Sequence, residues 1–224
     1  MAKGRQVARV KLQPPKAEDE KKYLLSWGAK ELYHNPENFP HIDRQSLFKE
    51  EGYLQLEIGC GTGEFICSLA KEFSNEKYIG IDFSRRAIYA AVNLAAANSL
   101  DNILFIKADI KQLYPLFTPK CLSLVYLHFP DPNYKSKHIK HRIFNRKFLD
   151  TMAEALTING KISVVTDQKP FFMDMLILAE TDYRFSKTHR ERYLTDYTPK
   201  TKSRFQQAWE RVTKSVYRFE IQKS

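Results

Sequence analysis

Asp131 stands between Pro130 and Pro132 in the stretch LHFPDPNYKSKHIKHRIF (127–144), followed by a basic run of Lys135, Lys137, Lys140 and Arg142. A carboxylate flanked by two prolines has little backbone freedom, so it presents a fixed hydrogen-bond acceptor or a fixed counter-charge for a cation. The cations behind it are the side chains that neutralise phosphates. A second stretch, LEIGCGTGEF (56–65), turns through Gly59, Gly61 and Gly63. Glycine is the residue used where backbone takes positive φ or lies directly against a ligand. Four more acids, Glu57, Asp82, Asp109 and Asp167, each fall at or just beyond the end of a predicted strand.

The elements that must position these groups follow from hydrophobic periodicity. YLQLEI (53–58), KYIGID (77–82), NILFIKAD (102–109), CLSLVYLHF (121–129) and GKISVVTD (160–167) read as strands, and SVYRFEI (215–221) as another. EFICSLAKEF (64–73) has helical spacing through Phe65, Leu69 and Phe73, and Ser84 offers an N-cap for RRAIYAAVNLAAAN (85–98). RKFLDTMAEAL (146–156) is amphipathic, and a further helix is expected near Phe171–Glu180. This alternation predicts an α/β fold with a doubly wound, mainly parallel sheet. Ligands of such sheets bind outside the carboxyl ends of the strands. Any one strand-end acid is more simply a loop residue or a helix cap, but five in successive units define one rim. Residues 1–50 contain Pro14, Pro15, Pro36 and Pro40 and read as a basic N-terminal arm, with short helical pieces around Tyr23–Leu32. Residues 51–224 read as the catalytic domain.

The chain has 224 residues and a net charge of +10. Residues 1–30, 133–147 and 184–224 carry +5, +6 and +7, which leaves −8 for the remainder. An acidic body with three basic segments implies a polyanionic partner; the simpler alternative is three solvated segments without one. No apolar run approaches the ~18 residues of a membrane span, and VARVKLQPPKAEDEKK is no signal-peptide core. Cys60, Cys67 and Cys121 form no paired framework, which points to reduced thiols in a cytoplasmic protein.

The glycine turn admits two readings. A dinucleotide fingerprint would place glycine or alanine where Glu64 stands, and that negative charge would repel a pyrophosphate. The order ExGxGxG instead resembles the first motif of class I S-adenosylmethionine-dependent methyltransferases. The resemblance implies S-adenosyl-L-methionine as cofactor, held by Gly59, Gly61 and Gly63. It puts Glu57 near the cofactor's cationic groups, Asp82 on the ribose hydroxyls and Asp109 on the adenine amino group. These enzymes usually keep their chemistry after the fourth strand, where Asp131 lies.

Two kinds of methyltransferase fit that position. DPNY (131–134) partly matches the Asn/Asp-Pro-Pro-Tyr/Phe of enzymes that methylate exocyclic amines. The longer string, FPDP with Lys135 and KHIKHR behind it, resembles the tRNA (guanine-N7-)-methyltransferase family. Thr166–Asp167 also matches that family's acid after the fifth strand. SRFQ (203–206) best fits its C-terminal Thr-Lys-Phe/Tyr-Glu, with Gln206 in place of the carboxylate. The likeness covers residues 53–220 and implies methyl transfer to N7 of a guanine in tRNA, by the family's habit in the variable loop. Asp131 would orient the base, counter the cation forming on the purine, and lie against the cofactor. Lys135, Asp167, Ser203, Arg204, Phe205 and Gln206 would contact the RNA. A monomer or homodimer without a membrane is expected. The rivals are an exocyclic-amine methyltransferase acting on rRNA or DNA, and a non-catalytic RNA-binding protein on the same fold. His138 and His141 lack an acid or cysteine to complete a metal site, and no metal is expected. Cys60 and Cys67 read as packing residues. Trp27, Tyr33 and Trp209 read as core or lid sooner than as base-stacking groups.

Overall fold

The computed structural model describes residues 13–132, 142–195 and 215–224. Its elements begin with α1 (Ala17–Tyr23), β1 (Leu24–Ser26), α2 (Ala29–His34) and α3 (Arg44–Phe48). The regular alternation follows as β2 (Leu54–Ile58), α4 (Glu64–Glu72), β3 (Lys77–Asp82), α5 (Arg85–Ala97), β4 (Ile103–Lys107), α6 (Ile110–Leu113) and β5 (Leu122–His128). Then come α7 (Arg146–Ala155), β6 (Leu156–Thr166), α8 (Lys169–Glu180), β7 (Phe185–Lys187), β8 (Leu194–Thr195) and β9 (Tyr217–Lys223). The strands form one sheet in the order β1-β4-β3-β2-β5-β6-β9-β7, with β8 also paired to β9. Every pairing from β1 to β6 is parallel, whereas β9 runs antiparallel to β6, β7 and β8. This is the expected α/β, mainly parallel architecture.

Helices cover both faces of the sheet, so its central strands are buried on both sides and their sequences are nearly continuously apolar. Leu54, Leu56 and Ile58 of β2 are all buried. Helix α5 buries Ile88, Ala91, Val92 and Ala95, one stripe at helical spacing, and starts where the Ser84 hydroxyl accepts from Ala87 N. Asn145 caps α7 in the same way by accepting from Phe148 N at 3.0 Å. One apolar layer packs Tyr23, Ile66, Ile88 and Val92 against Tyr78 and Phe105. The other packs Phe148, Met152, Phe172 and Leu176 against Val125, Ile162 and Phe219. Buried Asn102 joins the elements at the base of β4, its Nδ2 reaching the carbonyls of Ala70, Phe73 and Glu76 at 2.9, 3.2 and 3.0 Å.

Residues 24–26, where sequence reading saw only helical pieces, add strand β1 to the sheet beside β4. Strand β4 ends at Lys107, two residues short of the third predicted strand, and the short helix α6, absent from the sequence reading, follows Asp109. Both β1 and α6 are too short to show a period. Among the described residues no helix is long and apolar enough to cross a membrane.

Candidate active site

The loop after β2 is shaped by its glycines. Gly59 has φ +76° and nothing within 4 Å of where a Cβ would be, so its bare backbone faces open space. Gly63 is different: at φ +80°, a Cβ there would lie 2.8 Å from Ala91 Cβ, and its lack of a side chain lets α4 approach α5. Glu64 then opens α4 and accepts from the Thr62 hydroxyl at 2.6 Å. An acid in the first turn suits the helix dipole and leaves the helix N-terminus poorly disposed toward a phosphate.

Asp82, at the end of β3, braces this loop. Its Oδ2 accepts from Gly61 N at 3.0 Å and its Oδ1 from Ser84 N at 2.8 Å. Burial pushes its carboxyl above the ordinary value, while these backbone N–H groups pull the other way. Glu57 lies beneath the loop with 3% exposure, and its Oε2 has no hydrogen-bond partner among the described residues. Burial, reinforced by the charges of Glu64 and Asp82, raises its pKa well above the usual carboxylate range. A buried acid with an orphaned oxygen is the kind of group that a cation nearby would satisfy.

Gly59, Asp82, Asp109 and Asp131 converge on one cavity of about 410 Å³, closed by Ile58, Ile110, Lys111, Leu127 and Ile143. That volume lies within the range of pockets that hold a small cofactor. Phe83, 82% exposed, forms part of the wall; nothing in its sequence context marks it beyond its place after Asp82. Asp109 caps α6 by accepting from Lys111 N at 3.0 Å and remains exposed. Glu57, Gly61 and Gly63 support the cavity without lining it. Asp167 is half-buried at the end of β6, where it accepts from the Gln168 amide, and it is outside the cavity lining. Lys135, Ser203, Arg204, Phe205 and Gln206 lie outside the described residues, as do Lys137, Lys140, His138, His141 and Trp209.

The turn carrying Asp131 is the least ordinary backbone in the site. Phe129 has φ +51°, a conformation that a bulky residue adopts only under restraint, and its N–H donates to Val165 O on β6 at 2.7 Å. Just before it, His128 packs its ring against Phe65 and Tyr126 with centroids 4.7 and 5.6 Å apart. Burial, with Arg218 second, lowers the His128 pKa to about 3, so the ring is neutral. Arg142 ends the basic run but is engaged by groups of the protein itself. Its Nε donates to Pro132 O at 2.9 Å and its Nη1 to Asp174 Oδ2 at 2.7 Å. Buried Cys60 and Cys67 are free thiols; burial pushes Cys67 up to about 12, which leaves it un-ionised and unsuited to act as a nucleophile. Trp27 packs against Phe39, and Tyr33 lies edge-on to His34 away from the cavity.

Solved structures share this sheet. An antibiotic related methyltransferase superposes with a TM-score of 0.60 at 18% identity, covering 82% of this chain and 96% of its own. TrmN from Thermus thermophilus gives 0.56 at 17% identity over 77% of this chain, which spans 44% of that one. At such identities the likeness speaks for the fold alone. The family described as "Putative methyltransferase" matches residues 51–219. A tRNA (guanine-N(7)-)-methyltransferase of Rubrobacter xylanophilus is 42% identical over 97% of both chains. That of Chloroherpeton thalassium is 35% identical over 97% of this chain and 96% of its own. Relatedness over nearly the full length, together with a methyltransferase sheet and its glycine loop, leads to one conclusion: the chain belongs to the tRNA (guanine-N7-)-methyltransferase family.

Proposed function

We propose that this enzyme transfers a methyl group from S-adenosylmethionine to N7 of a guanine in tRNA, in the variable loop as the family resemblance implies. The observation that carries the reading is the meeting of Gly59, Asp82, Asp109 and Asp131 on one cavity, in a chain related to enzymes of that name over 97% of its length. When bound, S-adenosylmethionine supplies an electrophilic methyl group on a sulfonium. The residues fit such a molecule: Gly59 leaves backbone open to it, the Asp82 and Asp109 carboxylates accept from hydroxyl and amino groups, and the orphaned Glu57 oxygen favours a cation.

Guanine N7 is an acceptor without a proton at neutral pH. The chain therefore needs no general base for the transfer, and neutral His128 and un-ionised Cys67 suit that demand. What the residues must supply is in-line placement and compensation for positive charge growing on the purine. Asp131 serves both, because its carboxylate stands between two prolines in the lining of the cavity. Asp167 offers a second acceptor for the base, and Lys135 with its neighbours grips phosphates and fixes register. Ser203, Arg204, Phe205 and Gln206 complete the RNA contacts.

The test is methyl transfer from labelled S-adenosylmethionine to unmodified tRNA transcripts, with digestion and identification of the nucleosides by mass spectrometry. 7-Methylguanosine is expected, with turnover falling about 100-fold or more in Asp131→Ala and cofactor affinity nearly unchanged. An N-methylated exocyclic amine as product would replace this reading with the one that DPNY resembles.

A further inference from the structure

Pro130 and Pro132 carry no N–H, so the turn from 130 to 132 has one backbone donor and three carbonyl acceptors. It can be tied from outside chiefly by donors. The strained turn must also be over-determined by its surroundings, since a bulky residue at positive φ costs on the order of 1–3 kcal/mol. At its leading end the tie is Phe129 N to Val165 O. At its trailing end the tie is a guanidinium.

We infer that Arg142 is a positioning residue that fixes Asp131 through the carbonyl of Pro132. This rests on the catalytic role proposed for Asp131. Two further contacts hold the guanidinium while it does so. Nε donates to Pro132 O at 2.9 Å, Nη1 is paired with Asp174 Oδ2 at 2.7 Å, and the guanidinium carbon lies over the Phe171 ring, 4.7 Å from its centroid. The Arg142 carbonyl accepts from Asn145 Nδ2 at 3.0 Å, and Asn145 is the residue that caps α7. The Asp131 turn is thereby tied to α7 and α8, two elements of the core. The Arg142 side chain is only 16% exposed, although by sequence it looks like the last phosphate contact of the run. A lysine would keep the charge but not the fork: one ammonium on a flexible stem does not reproduce two directed donors and a cation over the ring.

The discriminating experiment measures kcat, tRNA affinity and its salt dependence for Arg142→Lys, Asp174→Ala and the double variant, with cofactor binding and a thermal melt as checks on folding. Arg142→Lys should lower kcat by about 10- to 100-fold, the scale of a misplacement near 1 Å. Its tRNA Kd and the slope of log K against log salt should match the parent. Asp174→Ala should lower kcat less, and adding it to Arg142→Lys should cost little more, because both act on one tether. Lys135→Ala is the contrast, with tRNA binding weakened and the slope reduced by about one. The inference falls if Arg142→Lys weakens tRNA binding and flattens the slope at unchanged kcat, or if the Arg142 and Asp174 losses multiply. Should Arg142→Lys fail to fold, Asp174→Ala and Asp174→Asn decide by the same split, because Asp174 is an acid with no attraction for phosphate. Should the parent methylate another nucleoside, the proposed function fails, while the ratio of variant to parent on that product still judges Arg142.

Discussion

At the scale of single residues, Gly59 and Gly63 stand four positions apart in one loop yet meet different demands. A methyl group on Gly63 would press on Ala91, with its Cβ 2.8 Å from that side chain, whereas one on Gly59 would project into empty space. Gly63→Ala should therefore destabilise the fold by about 1–3 kcal/mol through overpacking, with a further penalty for its positive φ. Gly59→Ala should cost only the backbone penalty of about 1–2 kcal/mol and weaken S-adenosylmethionine binding by about 10-fold or more, equivalent to at least ~1.4 kcal/mol. Urea melts and titration calorimetry on the two variants separate these outcomes. Equal stability losses, or equal affinity losses, would contradict the assignment of one glycine to packing and the other to the ligand. From sequence the two look identical, because what distinguishes them is the distance to a helix that begins 22 residues further on.

At the scale of elements, the alternation of strands and helices was legible wherever a segment was long enough to show a period. The stripe Ile88, Ala91, Val92, Ala95 and the apolar run of β2 announced themselves. Three-residue β1 and four-residue α6 did not, and Asp109 accordingly read as a strand-end acid although it also caps α6. The positive φ of Phe129, tied to Val165, and the pairing of Arg142 with Asp174 were hidden for another reason, since both depend on contacts with residues 32 or more positions away. Asn102 shows how much such contacts matter. It gathers three carbonyls from the end of α4 and the turn behind it, all buried or partly buried. Asn102→Ala should lower unfolding stability by about 1–3 kcal/mol, the cost of leaving buried acceptors unmet. A loss below about 0.5 kcal/mol in a denaturant titration, the range of an ordinary surface substitution, would mean that those carbonyls find other donors.

At the scale of the whole molecule, His128 and Asp182 make stability decline on acidification, against the opposite trend of Glu57 and Asp82, whose raised carboxyl values make their burial less costly as pH falls. His128 is held neutral with its pKa lowered from 6.5 to about 3. Below pH 6.5 the unfolded chain takes up a proton that the folded chain refuses, so stability falls from there toward about pH 3. Asp182 has the same sign. Its hydrogen bonds from Arg184, with Arg146 beside it, hold its carboxyl below the ordinary value, so its contribution is full above that value and lost as pH falls through the lowered one. Urea midpoints followed against pH should, relative to the parent's, decline less in His128→Phe just below 6.5 and in Asp182→Asn only in the carboxylate range. A His128→Phe profile parallel to the parent's would mean that the ring titrates in the folded protein.

The strand order carries one more consequence. From β2 the chain builds outward through β3 and β4 on one side, then returns to β5 and builds through β6 on the other. Glu57, Gly59, Asp82 and Asp109 thus belong to one continuous half of the sequence, and Asp131, Arg142 and Asp167 to the next. In the function proposed above, the donor and acceptor ends of the reaction sit on separate tracts of sequence, joined in the sheet where β2 pairs with β5. A recombination event in the stretch between β4 and β5 would exchange the acceptor while leaving the donor tract untranslated in meaning, which makes such a sheet an easy chassis for acquiring new substrates.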